Sequence, residues 1–314
     1  MSDLLNRIDG RTKLAGTNKL EILLFSLGMD TRTQREETFG INVFKVREVM
    51  HIPNITRAPE MPPSVEGMVS LRGALVPVID LVKYVGIVTE GRPDLMIVTE
   101  YNGHTQGFLV KSVENILRLD WSAMRVPPAM LCAEMGGLVT AITEIKDKRL
   151  VMMMDVEKVL AETSHLGDEK TLFSSVSPLG IANRTVFFAD DSAVARNQIS
   201  GTLNAMGVKY ISTTNGRQAW EELSKMAAHA ESTNTSVKDL IQIILTDVEM
   251  PDMDGYMLTR KIKEDSRFAG IPVLMHSSLS GESNQQLGKT VGVDEYVSKF
   301  EPQKLAQTIK RLLN

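Results

Sequence analysis

From Ala182 onward the chain alternates strand-like and helix-like segments, and this alternation constrains the fold more than any other feature. TVFFAD, ending at Asp190, reads as a strand, and SAVARNQISGTLNAMG, starting at Ser192, as a helix. Ala195, Ile199, Leu203 and Met206 fall on one helical face, with Ser192 placed as N-cap and Gly207 as stop. YISTT, IQIILTD, IPVLMHSS and DEYVSK read as further strands. GRQAWEELSKMAAHA reads as a second helix, and Pro302 opens a last one with Leu305, Ile309 and Leu312 inward. IQIILTD is almost continuously apolar, as a strand covered on both faces must be. Strands alternating with helices imply a parallel, doubly wound α/β sheet. ESTNTSVKD, before the third strand, reads as an extended exposed loop.

In such a sheet ligands gather outside the carboxyl ends of the strands. Here those ends carry Asp190 and Asp191, Asp247, Ser277 and Ser278, and Lys299. Three carboxylates meeting within a few ångströms repel one another, so at least one would titrate high. A hard divalent cation with oxygen ligands removes that conflict, and Mg²⁺ is the natural candidate. A lysine and a hydroxyl added to that set make a site for a dianionic phosphoryl group, with a carboxylate attacking in line.

The N-terminal half has a different texture. LEILLFSLG, FGINVFKVREV, GALVPVIDLV, DLMIVTEY and QGFLVKSV read as short strands separated by Gly, Pro, Asn and Asp. Asn102-Gly103 is a two-residue hairpin signal, because both turn positions need positive φ. Closed or sandwiched antiparallel sheets fit this spacing. Leu75, Val76, Asp80 and Lys83 recur as Leu150, Val151, Asp155 and Lys158 at a constant offset, and each set reads as a strand running into a helix start. That echo is either a duplicated β unit or a coincidence. The Ser-, Gly- and charge-rich stretch 162–181 reads as a linker, which sets domains at 18–161 and 182–314.

Composition closes several routes. The 314 residues suit about two domains. A hydrophobic fraction of 43% with 24% charged residues argues against a largely disordered chain. Net charge is −4 and no polybasic tract appears, so a nucleic-acid partner is not expected. No apolar run is long enough to span a bilayer, which argues against direct membrane insertion, and the first residues lack a secretory h-region. The single cysteine, Cys132, excludes an internal disulfide framework and reads as a small core residue. A cytoplasmic location is expected.

Ala189-Asp190-Asp191, Asp247 followed by Met250-Pro251 and Asp254-Gly255, Leu274-Met275-His276-Ser277, and Tyr296-Val297-Ser298-Lys299 resemble a two-component receiver domain of the CheY kind, with a flavodoxin-like fold. The resemblance covers about 183–314. It implies Asp247 as phosphoacceptor, with Asp190, Asp191, Asp247 and the backbone carbonyl of Glu249 holding Mg²⁺. It also implies that Ser277 and Lys299 stabilise the phosphoryl group and that Tyr296 is the aromatic switch. The sequence departs from the family at Phe300-Glu301-Pro302, in a longer stretch between Asp191 and Asp247, and in the acidic Glu249.

FKVREVMHIPNITRAPEMPPSVEGMVSLRGALVPVIDL, residues 44–81, resembles the CheW family of chemotaxis scaffold proteins, as does the later YNGHTQGFLVKSVENILRL. The family implies two linked five-stranded SH3-like barrels and docking surfaces for the histidine kinase CheA and for chemoreceptor tips. Carried over, Val46, Glu48, Gly67 and Arg72 are the candidates for those surfaces or their support. A CheW-like domain followed by a receiver resembles the CheV family of coupling proteins. It implies an adaptor rather than an enzyme, associated with membrane chemoreceptor arrays, whose receiver catalyses its own phosphorylation from phospho-CheA. The rival functions are a passive phosphate sink and a receiver-gated enzyme with an N-terminal catalytic domain.

Other motifs fail. Gly288-Lys289-Thr290 lacks the first P-loop glycine, which is Ser283, and no strand immediately precedes it. Asp252-Met253-Asp254-Gly255 is no EF-hand, because the twelfth loop position is Lys261. His51, His104, His165, His229 and His276 lack metal spacing. Met152-Met153-Met154 reads as core filling. The N-terminal half shows no clustered nucleophile and base, which weighs against the gated enzyme. A transcription factor is not expected, since no basic recognition helix is present.

Overall fold

The apolar runs of the N-terminal half become strands β1 (Lys19–Asp30), β2 (Arg35–Asn42), β3 (Val46–His51), β4 (Val65–Leu71), β5 (Ala74–Asp80), β6 (Leu95–Tyr101), β7 (His104–Val110), β8 (Ser112–Asp120), β9 (Val139–Glu144) and β10 (Leu150–Met154). Helices α1 (Leu81–Val85), α2 (Ala129–Glu134) and α3 (Val156–Thr163) accompany them. The computed structural model describes residues 19–57, 59–101, 104–146, 148–163, 173, 176–178, 180, 183–277, 288–299 and 301–313. These divide into two compact units, 19–163 and 173–313. The Asn102-Gly103 turn, the Cys132 side chain, Ser278, Ser283 and most of 162–181 lie outside the described residues. β6 and β7 do pair antiparallel up to Tyr101 opposite His104.

The first unit holds two five-stranded sheets, ordered β8-β1-β2-β10-β9 and β3-β6-β7-β5-β4. FGINVFKVREV, expected as a single strand, is divided by a 3-10 turn at Val43–Lys45, where the Asn42 side chain accepts from the Phe44 N–H. The chain leaves the first sheet there and enters the second. QGFLVKSV is divided likewise at Lys111, where the chain returns. The burial pattern changes at both passages: the ends of β2 and β7 are buried, whereas β3 and β8 are mostly half-buried or exposed.

The sequence echo is a true repeat, circularly permuted. In the second sheet β4 pairs antiparallel with β5, β5 parallel with β7, and β6 antiparallel with both β7 and β3. In the first sheet β9, β10, β2, β1 and β8 repeat that pattern in order. Val78 lies opposite Gly107 as Met153 lies opposite Gly40, which is the offset of the sequence echo. Asp80 Oδ1 accepts from the N–H groups of Val82 and Lys83, and Asp155 Oδ1 from those of Glu157 and Lys158. The repeated aspartates are helix caps. Met152, Met153 and Met154 are buried, as expected of core filling.

The second unit runs β11 (Thr185–Ala189), α4 (Ala193–Met206), β12 (Lys209–Thr213), α5 (Gly216–Ser232), α6 (Val237–Leu240), β13 (Ile243–Thr246), α7 (Gly255–Glu264), β14 (Val273–Ser277), β15 (Glu295–Ser298) and α8 (Pro302–Leu313). Its strands are all parallel in the order β12-β11-β13-β14-β15. Ser192 caps α4 by accepting from the Ala195 N–H, and Gly207 ends it at φ 71°. The stretch ESTNTSVKD is not one extended loop. α5 continues to Ser232, and Ser236 with Asp239 forms a capping box that starts α6. Ser-x-x-Asp is a helix-start signal, and it absorbs the extra length before β13.

Candidate functional site

β11 delivers Asp190 and Asp191, β13 delivers Asp247, β14 ends in Ser277, and Lys299 follows β15. Parallel strands bring all these ends to one edge of the sheet. Asp190, Asp191 and Asp247 each place a carboxylate oxygen within 4.8 Å of the others. Lys299 Nζ lies 2.9 Å from Asp247 Oδ2 and 3.0 Å from Asp190 Oδ2. Lys299 and Asp247 are each 2% exposed and Asp190 is fully buried, so this is a charge cluster removed from water. Burying such charges is tolerated only with pairing and hydrogen bonds. Ser192 N–H donates to Asp190 Oδ1 at 2.9 Å and Val248 N–H to Asp247 Oδ1 at 2.7 Å. Three carboxylates against one lysine leave a net negative pocket of hard oxygen donors, which suits a divalent cation.

Ser277 is fully buried. The half-buried Tyr296 makes a hydrogen bond with it. Burial pushes the Tyr296 phenol well above its usual range, and that hydrogen bond opposes the shift. The Tyr256 phenol is raised too, chiefly by burial and then by Tyr296. Glu249 is buried next to this pair, so its carboxylate bears on the acceptor side of the site.

Further residues support the site, and one of them, Arg196, carries no signal of this role in the sequence. Arg196 Nη1 donates to the backbone oxygens of Asp190 and Asp191, at 2.9 and 2.8 Å, and clamps the loop that carries both carboxylates. A Cβ on Gly255 would overlap the Asp247 carbonyl oxygen, so only glycine lets α7 start against the acceptor backbone. Asp254, just before it, caps α7 by accepting from the Met257 N–H at 2.7 Å. The Asp-Gly pair is thus a helix start. Arg196 is silent in the sequence because an arginine on a helix face is ordinarily solvated.

Residues 21–164 match the CheW-like domain, and residues 186–310 match the response regulator receiver domain. The chain carries a CheW-like domain followed by a receiver domain. It is 29% identical over 304 residues to chemotaxis protein CheV3 of Helicobacter pylori, covering 95% of this chain and 96% of that one. Chemotaxis protein CheY1 of the same organism is 32% identical over 126 residues, 40% of this chain and 92% of that one. Chemotaxis protein CheW of Klebsiella aerogenes is 30% identical over 153 residues, 48% of this chain and 87% of that one. The domain order is that of the CheV proteins.

In the CheW-like domain Arg72 Nη2 reaches Glu48 Oε2 at 3.2 Å, and the Arg72 side chain is 68% exposed. β3 and β4 are the two edges of their sheet, so a pair joining Glu48 on β3 to the turn after β4 brings those edges together, as in a barrel. Arg72 and Gly73 form that turn with φ of 50° and 84°. Both positive values are those of a tight hairpin turn that favours Asn and Gly. An arginine held there is an outlier of the kind that gathers at functional sites. Gly67 serves the backbone instead. A Cβ there would overlap the Thr56 carbonyl oxygen, so the glycine permits a close crossing of two chain segments. Val46 is 2% exposed and belongs to the buried core, so of the two roles expected for it only a supporting one is open to its side chain.

Proposed function

We propose that the chain is a chemotaxis adaptor. Its CheW-like domain, about 18–161, couples chemoreceptor tips to the kinase CheA. Phosphorylation of Asp247 in the receiver, about 182–314, modulates that coupling. The observation that carries the proposal is the buried Lys299 shared between Asp190 and Asp247, in a chain whose other half is CheW-like. Asp190, Asp191, Asp247 and the Glu249 backbone carbonyl would hold Mg²⁺, whose positive charge offsets that of the transferred group.

One Asp247 carboxylate oxygen attacks the phosphorus of a phosphohistidine on CheA. The P–O bond forms as the P–N bond breaks, and the imidazole nitrogen keeps the electron pair. Lys299 pairs with the phosphoryl oxygens and the Ser277 hydroxyl donates to one of them, so both stabilise charge where it gathers. The receiver in this way accelerates its own phosphorylation. Once Ser277 is drawn to the phosphoryl group, its hydrogen bond with Tyr296 is given up and the ring can shift.

Among the described residues no helix is long and apolar enough to cross a membrane. The proposed place of action is the receptor array, reached through Glu48 and Arg72. Radiolabelled phospho-CheA should label the wild-type chain in the presence of Mg²⁺ and leave Asp247→Ala unlabelled. Full labelling of Asp247→Ala would falsify the acceptor assignment. Co-sedimentation with receptor–CheA arrays tests the adaptor assignment, and absence of array-dependent binding would refute it.

A further inference from the structure

The receiver core contains a residue from outside its alternating elements. Val176 is 8% exposed and belongs to the cluster that holds Ile199 and Leu203 of α4, Leu305 and Ile309 of α8, and Val297 of β15. Its N–H donates to the Phe173 carbonyl at 3.0 Å, which turns the chain back on itself. The Phe173 ring lies over the middle of α4. A Cβ on Gly201 would be 2.5 Å from the ring Cζ and 2.6 Å from Cε2. A glycine inside a helix is less favourable than an alanine there. Gly201 has no positive φ that would require it, and the three atoms nearest to its missing side chain all belong to Phe173. Gly201 is therefore a socket for that ring.

The strap and the phosphoacceptor machinery meet through α8, which starts just after Lys299 and shares a core cluster with Val176. Lys299 is held by Asp190 and Asp247, and α8 begins shortly after it, with Leu305 N–H donating to the Glu301 carbonyl at 3.0 Å. Leu305 and Ile309 of that helix belong to the same core cluster as Val176. We propose that Phe173 and Val176 form a releasable strap. It is docked on the groove between α4 and α8 while Lys299 is shared by the two aspartates, and released when Asp247 carries a phosphoryl group. The proposal rests on the acceptor reading above. A dianionic group on Asp247 draws Lys299 off Asp190 and takes Glu301 and the first turn of α8 with it, which loosens the cluster that Val176 joins. Release moves the receiver's anchor for the tether from Phe173 to the start of β11 at Thr185. At about 3.5 Å per extended residue this adds roughly 40 Å of reach, which changes the effective concentration of one unit at the other's partners.

Linkage makes the coupling reciprocal: expelling the strap must favour the phosphorylated state. The test uses the full chain with Mg²⁺ and beryllofluoride as the phosphoryl probe. Hydrogen exchange is followed in peptides covering 173–178 and in those covering Ser277 and Lys299. In the wild type, beryllofluoride should speed exchange at 173–178 by about five-fold or more, the lower range of typical coupling. Gly201→Ala fills the socket with a residue that favours the helix. It should speed the same exchange without the probe and tighten beryllofluoride binding by about five-fold. Phe173→Ala should do the same while leaving α4 untouched, which separates strap release from a helix effect. The proposal is overturned if exchange at 173–178 ignores the probe while Ser277 and Lys299 respond. It is also overturned if both variants bind the probe with wild-type affinity. If wild type and Asp247→Ala both fail to respond at Ser277 and Lys299, the acceptor reading itself falls, and the strap proposal with it.

Discussion

The two domains handle charge in opposite ways. The receiver sinks Lys299, Asp190 and Asp247 almost completely from water and satisfies them with one another and with backbone N–H groups. The CheW-like domain keeps most of its ion pairs near the surface. Arg72 with Glu48, Arg118 with Glu21 and Lys83 with Glu66 each join an exposed cation to a half-buried carboxylate. Its exception is Lys45 with Glu157, which ties the Val43–Lys45 turn to α3 in the interior. Charge gathered in low dielectric is poised for chemistry, because any added charge there is felt strongly. Charge left in water costs little to keep and is free to meet a partner.

The largest expected effect follows from that contrast. Lys299→Met leaves two buried carboxylates facing each other. It should destabilise the receiver by about 3–5 kcal/mol, read as a downward shift of one of two calorimetric transitions. A shift no larger than that of an exposed pair would break the comparison. Close behind come two glycines that serve the backbone in both domains. Gly255→Ala and Gly67→Ala should each cost about 3 kcal/mol, because the new Cβ meets a backbone carbonyl that cannot yield. Each should lower only its own domain's transition, and Gly255→Ala should also slow labelling of Asp247. Arg72→Ala and Glu48→Ala should change stability by less than about 1 kcal/mol yet weaken a partner contact by about 1–3 kcal/mol. Titration with CheA and with receptor tips, beside circular dichroism, reads both effects.

The smallest effect is a pH dependence. Lys83, hydrogen-bonded to Glu66, holds that carboxyl below its ordinary value of 4.5, although partial burial works against this. A depressed carboxyl adds stability that is full above its unfolded value and is lost as pH falls through the folded one. Lys83→Met should therefore cost less than about 1 kcal/mol at neutral pH. Its difference from wild type should shrink on acidification below 4.5 in urea titrations. A difference that grew with acid would reverse the assignment.

Most of the receiver is legible in the sequence because its signals are local or periodic. The apolar face of α4, its Ser192 cap and its Gly207 stop can each be read within a few residues. The positions of Asp190, Asp191, Asp247, Ser277 and Lys299 follow from strand ends, since parallel strands in one sheet share a direction. Arg196 is not legible as part of the site, and Gly255, though it stands in the receiver pattern, does not show its fit against Asp247, because each acts on a backbone oxygen across a turn. In the CheW-like domain the strands are visible but their partition is not. FGINVFKVREV and QGFLVKSV carry no Gly, Pro or Asp at the points where the chain changes sheet, only the single lysines Lys45 and Lys111. Val46 shows the same limit: alternation tells that a strand has two faces, but not which one a partner can reach.

Local signals along the chain are enough to mark most strands and helices, to set a β-rich half before an α/β half, and to put an acidic site with a lysine at the receiver's strand ends. Capping residues, hydrophobic periods and strand order carry that information without long-range contacts. Three features emerge only once the chain is folded. The β repeat is permuted, Arg72 reaches Glu48 across two sheet edges, and Phe173 fills the space opened by Gly201. Each depends on which distant surfaces meet, and a side chain's fit to a partner far along the chain leaves no period or local motif to read.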